Sequence, residues 1–182
     1  MNDLLILATL LAGPQHGYAL KKQAGLISGQ PELHNNLIYP LLRRFVERAW
    51  VTRKEAAGER GQVRQMYSLT PLGRRELIRR LGEFDGTEVR SPEAFHLRVG
   101  LFETLDPSTR NQVLDKRKSF LEAREGKFAN LERAMNIGRY GAEVVRFLRQ
   151  QIRAELAWID RLRRMSPGPK RKVAGSERSK SL

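Results

Sequence analysis

Residues 33–51 carry the clearest hydrophobic pattern of the chain. Ile38, Leu41, Leu42 and Phe45 recur at the i, i+3, i+4 and i+7 positions, which places them on one side of an α-helix. The opposite face consists of Asn36, Tyr39, Pro40, Arg43 and Glu47, with Arg44 beside it. The pattern predicts an amphipathic helix with one buried face. We expect Asn35 or Asn36 to cap its start, which would put Pro40 in or just past the first turn.

Shorter segments surround this helix. An apolar stretch from Leu4 to Leu11 ends at Gly13-Pro14, and a second helix is predicted from about His16 to Ile27, followed by a break at Gly29, Gln30 and Pro31. After Trp50 the period changes, and residues 51–55 and 62–69 are predicted to be strands joined by a turn at 58–61. Thr70-Pro71 then begins a fourth helix. Three helices followed by a hairpin and a helix predict a winged helix-turn-helix.

The rest of the chain is predicted to be helical. Residues 83–92 are interpreted as a linker, and Ser91-Pro92 and Asp106-Pro107 begin helices in residues 93–165. A last long helix presents an apolar stripe that includes Val145, Ile152 and Ile159. We therefore predict a mainly α protein with a small β-hairpin. It would have a winged-helix domain at 1–82 and about three helices at 93–165. Residues 166–182, with almost no apolar side chains, are predicted to be a disordered basic tail.

The charge is distributed unevenly. The formal net charge is +14, and residues 1–82 carry 13 Lys/Arg against 6 Asp/Glu, whereas residues 83–165 carry 16 against 13. This excess indicates a polyanion-binding N-terminal part. The tail, with Lys170-Arg171-Lys172, adds either nonspecific attraction to DNA or only solubility.

Several polar residues of the N-terminal part are candidates for contacts to double-stranded DNA. Arg can reach guanine edges or phosphates, Asn can read adenine, and Tyr can bond a phosphate. The candidates are Asn35, Asn36, Tyr39, Arg43 and Arg44 on the amphipathic helix of residues 33–51, Tyr18, Lys21 and Lys22 on the second helix, and Arg60 and Arg64 in the hairpin. The alternative for each is a solvated surface residue, and for Tyr18 also a place at the edge of the core.

Three segments resemble the PadR-like transcriptional regulators in identity, spacing and order. They are Gly13-Pro14-Gln15-His16-Gly17-Tyr18, Ile38-Tyr39-Pro40-Leu41-Leu42-Arg43-Arg44 and Tyr67-Ser68-Leu69-Thr70-Pro71-Leu72-Gly73-Arg74. The chain departs from the family where Ala49 stands in place of the usual Gly in the turn after the third helix. If that position has a positive φ angle, Ala costs on the order of 1 kcal/mol.

The resemblance implies a cytoplasmic homodimer held by its C-terminal helices and bound to a pseudo-palindromic operator. It also implies repression as the default, relieved by a small aromatic or hydrophobic effector near the domain junction. Phe95, Phe102, Tyr140 and Trp158 are candidates for an effector pocket, and the alternative is that they simply fill the helical bundle or the dimer interface.

Other functions have weaker support in the sequence. The chain has no Cys and three scattered His residues, so we expect no metal site, no cofactor and no enzymatic activity. Leu4–Leu11 is too short to span a bilayer and lacks a basic preceding region, so we expect neither a signal peptide nor a membrane span. The alternative to a sequence-specific regulator is a nonspecific nucleoid-type protein that binds DNA through charge alone.

Overall fold

The structure is a computed structural model that describes residues 1–27, 33–57, 63–134 and 138–165. The first helix, α1 (Asn2–Thr9), runs into a 3₁₀ turn at Leu10–Ala12. It is followed by β1 (Gln15–His16), α2 (Gly17–Ile27) and α3 (Asn35–Glu47). The hairpin consists of β2 (Val51–Ala57) and β3 (Val63–Leu69), and α4 (Pro71–Gly82) completes the N-terminal part.

The remaining elements are helical. They are α5 (Thr87–Arg90), α6 (Pro92–Gly100), a 3₁₀ turn at Phe102–Thr104, α7 (Pro107–Ala134) and α8 (Arg139–Met165). This mainly α architecture with a small sheet confirms the predicted fold class. The predicted break at 29–31, the hairpin turn at 58–61 and the tail at 166–182 lie outside the described residues.

The sheet has one strand more than the sequence predicted. Strand β3 pairs antiparallel with β2 from Val51↔Leu69 to Ala57↔Val63. On its other side β3 pairs with the two-residue strand β1, with His16 opposite Met66. The strand order β1-β3-β2 therefore ties the start of α2 to the hairpin.

Helix starts follow the predicted caps at three places. The Thr70 hydroxyl accepts from the Gly73 N–H at 2.9 Å, and the Ser91 hydroxyl accepts from the Ala94 N–H at 3.1 Å. The Asp106 carboxylate accepts from the N–H of Thr109 at 3.0 Å. Each side chain satisfies one N–H that the first turn of a helix leaves without a partner.

The start of α3 differs from the prediction. The helix begins at Asn35 with His34 as its N-cap, and no side chain caps it. Asn35 and Asn36 are therefore in the first turn, and Pro40 lies inside the helix rather than at its start. Because Pro40 has no N–H, it cannot donate to the Asn36 carbonyl, and the burial of the apolar face must compensate for this.

One apolar core extends from α1 to α8. It includes the predicted stripe of α3, the Leu77 and Leu81 side chains of α4, and Val113, Leu114 and Leu121 of α7. The segment predicted as a linker takes part in this core, since Phe84 is fully buried and residues 87–90 are helical. On the surface of α4, a hydrogen bond from Arg79, together with one from Arg80, lowers the pKa of Glu76 to about 2.

Candidate nucleic-acid interface

Helix α3 presents the predicted polar face to solvent. Ile38, Leu41, Leu42 and Phe45 are buried, as the apolar stripe predicted. Tyr39 is 46% exposed, and Asn35, Asn36, Pro40 and Arg43 are also exposed. The helix is therefore held through one face and leaves two amides, a phenol and a guanidinium available on the other.

A groove beside Tyr39 brings together candidates from three elements. Tyr18 of α2, Tyr39 of α3 and Arg64 of β3 line a groove of about 610 Å³ with His16, Gly17, Gln65 and Tyr67. Gly17 matters here because a Cβ atom at this position would lie 3.0 Å from Cε1 of Tyr39. The absence of a side chain at Gly17 thus lets α2 approach the Tyr39 ring closely.

A second, smaller groove lies along the outward face of α3. It has a volume of about 210 Å³, and its lining includes Tyr39, Arg43 and Glu47 of α3 with Arg53 of β2. Antiparallel pairing places Arg53 opposite Tyr67. The hairpin and α3 therefore present Arg43 and Arg53 at the same groove.

His16 has a role in the groove that its sequence position did not reveal. Its Nδ1 atom accepts a hydrogen bond from the Ala19 N–H at 3.2 Å, in the first turn of α2. Its ring also stacks on that of Tyr18, with the ring centroids 6.4 Å apart. His16 and Tyr18 thus both line the groove. Among the residues that the structure describes, no cluster of three His, Cys, Asp or Glu side chains could hold a metal ion.

The other predicted contacts are distributed differently. Lys22 is exposed on α2, whereas Lys21 is half-buried. Arg44 is directed to α1, where its guanidinium contacts the Asp3 carboxylate at 2.7 Å, and Arg80 contacts the same oxygen at 3.1 Å. The structure therefore separates Arg44 from the Tyr39 groove, and Arg60 lies outside the described residues.

The four aromatic residues predicted for an effector pocket are not brought together. Phe95 is buried and contacts Trp158 edge-on, with ring centroids 5.7 Å apart. Phe102 is also buried, whereas Tyr140 is 83% exposed near the start of α8. Since a helix rises about 1.5 Å per residue, Tyr140 and Trp158 lie about 27 Å apart along α8 and cannot share one pocket.

A different groove lies where α1 and α2 meet α6. It has a volume of about 430 Å³, and its lining consists of Ala8, Ile27, Glu93, His96, Leu97, Gly100 and Leu101. A hydrogen bond from the Ser91 hydroxyl lowers the pKa of Glu93, so this rim carries a carboxylate at neutral pH. Trp158 lies behind the rim, with its ring centroid 5.5 Å from that of His96.

Three helices followed by a small sheet and a fourth helix, with the third helix exposed on its polar side, define a winged helix-turn-helix protein. The sequence model of the transcriptional regulator PadR-like family matches residues 6–79. A protein of Thermoplasma acidophilum classed as a transcriptional regulator is 36% identical, over 42% of this chain and 72% of its own, with a TM-score of 0.39. The chain belongs to the PadR-like family, as the three sequence motifs predicted.

Further solved structures are similar over different lengths. A transcriptional regulator from Clostridium thermocellum is 22% identical over 44% of this chain and 79% of its own, with a TM-score of 0.41. PadR of Bacillus subtilis, solved in complex with operator DNA, is 18% identical over 91% of this chain and 98% of its own, with a TM-score of 0.44. No curated protein matches the chain.

Within the described residues, none of the helices combines the length and the apolar composition that a membrane crossing requires.

Proposed function

We propose that this protein is a dimeric, sequence-specific regulator that binds double-stranded DNA through α3 and the hairpin. The observation that carries the proposal is the exposed polar face of α3, with Tyr39 and Arg43 flanked by Arg53 and Arg64 of the hairpin. An α-helix with such a face fits the major groove, where base edges can be distinguished.

Each side chain has a role that follows from its chemistry. Arg43 is the candidate for a bidentate contact to guanine, and Asn36 can pair with adenine. Tyr18, Tyr39 and Lys22 would hold phosphates and so fix the register of α3 on the duplex. Arg64 would contact the backbone from the hairpin side. Arg44, engaged by Asp3, is better suited to holding α3 against α1.

Helix α8 supports the proposed dimer. Tyr140, Val144 and Phe147 are 83%, 57% and 56% exposed, and their i, i+4, i+7 spacing forms one apolar stripe. A second copy packed on this stripe would remove it from water. The dimer would place two α3 helices in successive major grooves, about 34–36 Å apart.

We accordingly assign DNA binding to residues 1–82 and dimerisation to 93–165, with 83–92 between them and 166–182 as a basic tail.

The regulatory direction is a further part of the proposal. Occupancy of an operator by the dimer would repress transcription, and a small hydrophobic effector would relieve this repression. The protein would act in the cytoplasm. The groove lined by Ile27, His96 and Leu101 is the candidate effector site, since it lies between the DNA-binding helices and α6. An effector can act there only if it binds the DNA-bound and free arrangements unequally.

The proposal is tested by sequencing the genomic fragments that the purified protein retains and then measuring affinity for the recovered operator. A regulator should bind this operator at least about a thousandfold more tightly than random duplex. Arg43→Ala should lose about 1–3 kcal/mol of binding free energy and relax specificity at one base pair. Arg43→Lys should recover phosphate attraction but not the bidentate contact.

Arg161→Ala is the matched control, because it removes the same charge from the exposed surface of α8. It should leave operator affinity within about twofold, since exposed charges beyond a Debye length are largely screened. Equal affinity for operator and random duplex would contradict the proposal, as would wild-type affinity in Arg43→Ala.

A further inference from the structure

The side chain of Arg98 connects α6 to the end of α4. It is fully buried, and its guanidinium donates to the carbonyl oxygens of Leu81 at 3.1 Å, Glu83 at 2.8 Å and Arg80 at 3.4 Å. It also donates to Ala94 of its own helix at 3.0 Å. The last carbonyls of a helix lack intrahelical partners and carry partial negative charge. A cation from α6 therefore caps the last helix of the DNA-binding part.

The same guanidinium also holds the segment between α4 and α6. The Glu88 carboxylate of α5 accepts a hydrogen bond from the Arg98 guanidinium, and the Cζ atom of Arg98 lies 4.6 Å from the centroid of the Phe84 ring. Phe84 in turn stacks on Phe95, with ring centroids 6.0 Å apart. The buried Arg98 side chain thus contacts residues 83–90 at several points.

A second buried arginine holds this segment from the other side. Arg117 of α7 is 1% exposed and pairs in a bidentate manner with Glu155 of α8, at 2.7 and 3.0 Å. Its remaining nitrogen donates to the Val89 carbonyl of α5 at 2.5 Å. The guanidinium also lies 5.6 Å from the Phe95 ring. Contacts therefore run without a gap from α4 through Arg98, α5 and Arg117 to α8.

We propose that Arg98 and Arg117 are positioning residues that fix the orientation of the DNA-binding head, residues 1–82, relative to the α7–α8 pair. This inference rests on the proposed function, because the consequence concerns a dimer with two heads. If each head is held rigidly on α8, the distance and rotation between the two α3 helices are set by the protein. The operator must then match one spacing of its half-sites.

The energetics favour a geometric role. A buried ion pair is often no more stabilising than apolar side chains of similar volume, because desolvation offsets the attraction. Fully directed hydrogen bonds to carbonyls, however, specify one relative orientation of two elements, which apolar packing alone does less strictly. Replacing Arg98 alone with Met leaves the Leu81 and Glu83 carbonyls and the Glu88 carboxylate without this donor, so it should cost stability and should also widen the range of head orientations.

The first experiment measures affinity for operators with altered half-site spacing. An insertion of two base pairs moves the half-sites apart by about 7 Å and rotates them by about 70°. The wild type should lose about 100-fold in affinity, the scale expected when one of two linked contacts is lost. Arg98→Met should bind the native operator more weakly, by about 10-fold, and lose less than about 3-fold on insertion.

Val113→Ala serves as the stability control, since Val113 is fully buried on α7. It should reduce stability while retaining the 100-fold spacing penalty of the wild type. A folded Arg98→Met with that same penalty would overturn the inference. If Arg98→Met does not fold, Arg98→Lys and Glu88→Gln provide milder changes, and both should reduce the penalty; an unchanged penalty in both would overturn it.

A second experiment does not depend on DNA. The chain contains no Cys, so Lys22→Cys and Arg161→Cys, both at exposed positions, allow spin labels on one head and on α8. In labelled chains diluted with unlabelled ones, the wild type should show one narrow distance distribution and Arg98→Met a broad one. Equal widths would overturn the inference. By contrast, a narrow wild-type distribution without operator preference would refute the proposed function alone.

Discussion

Ala49 occupies a backbone position that normally requires glycine. Its φ angle is 54°, and it follows the end of α3 in a six-residue hydrogen-bonded turn. The Trp50 N–H donates to the Phe45 carbonyl and the Ala49 N–H to the Val46 carbonyl, both at 2.9 Å. The rings of Phe45 and Trp50 lie 5.6 Å apart beside this turn. These are the features of a Schellman motif, in which the left-handed residue is usually Gly.

Ala49→Gly should therefore stabilise the protein. A left-handed conformation costs a residue with a Cβ about 1–2 kcal/mol. Glycine removes this cost, but it also increases the conformational entropy of the unfolded chain, which lowers the free energy of unfolding by about 0.4–1 kcal/mol. Ala49 is exposed, so little apolar burial is lost. The net gain is about 0.5–1 kcal/mol, which corresponds to a rise of about 1–4 °C in Tm for a chain of this length.

The measurement is urea and thermal unfolding at one fixed protein concentration, because association itself stabilises folded chains. Ala123→Gly is the control, since Ala123 is exposed in the middle of α7, where glycine should cost about 0.5–1 kcal/mol. The two substitutions should shift stability in opposite directions. A loss of stability in Ala49→Gly comparable to that in the control would refute the reasoning.

Three further variants test other features. Gly73→Ala should destabilise by about 2 kcal/mol or more, because the new Cβ atom would lie 2.0 Å from the Trp50 carbonyl oxygen; chemical unfolding measures this. Folding lowers the pKa of Glu76 to about 2, so the wild type gains stability from this group above pH about 4.5 and loses it as the pH falls toward 2. Glu76→Gln should abolish this contribution, and unfolding curves measured across this pH range test the expectation. Phe147→Glu should yield monomers in sedimentation velocity, because a charge would be buried in the proposed interface.

Each variant has a matched control. Gly126→Ala, with open space around the new Cβ, should gain about 0.5–1 kcal/mol, and equal behaviour of the two glycines would contradict the steric argument. Glu122→Gln, at an exposed site on α7, should retain the acid-dependent loss of stability. Arg161→Ala should remain dimeric, whereas a dimeric Phe147→Glu would remove α8 from the proposed interface.

Periodicity and capping chemistry account for most of the fold prediction. The stripe at Ile38 to Phe45 and the caps at Thr70, Ser91 and Asp106 depend on residues within a few positions of one another, so they can be recognised locally. The predicted start of α3 was wrong. Local preference favoured an Asn cap, but the His34 carbonyl accepts from the Leu37 and Ile38 N–H groups, so the helix begins at Asn35 and Pro40 lies inside it.

The candidate interface was predictable only in part. The sequence placed Tyr39 and Arg43 on one helical face, and the structure places both at the surface. It did not predict the strand Gln15–His16, because two residues carry no measurable period and their pairing partner lies about fifty positions away. The groove that joins Tyr18 to Arg64 therefore emerged only from the tertiary structure.

The sequence alone determined the long helices, their apolar faces and the family to which the chain belongs, since these depend on short-range spacing and on motif order, but it did not determine the short helix at Thr87–Arg90. The tertiary structure decided where the charges act. Arg44 is drawn to Asp3, and Arg98 and Arg117 are buried with carbonyls and carboxylates from distant elements. Such pairings depend on which groups folding brings within a few ångströms, and a linear sequence does not state those distances.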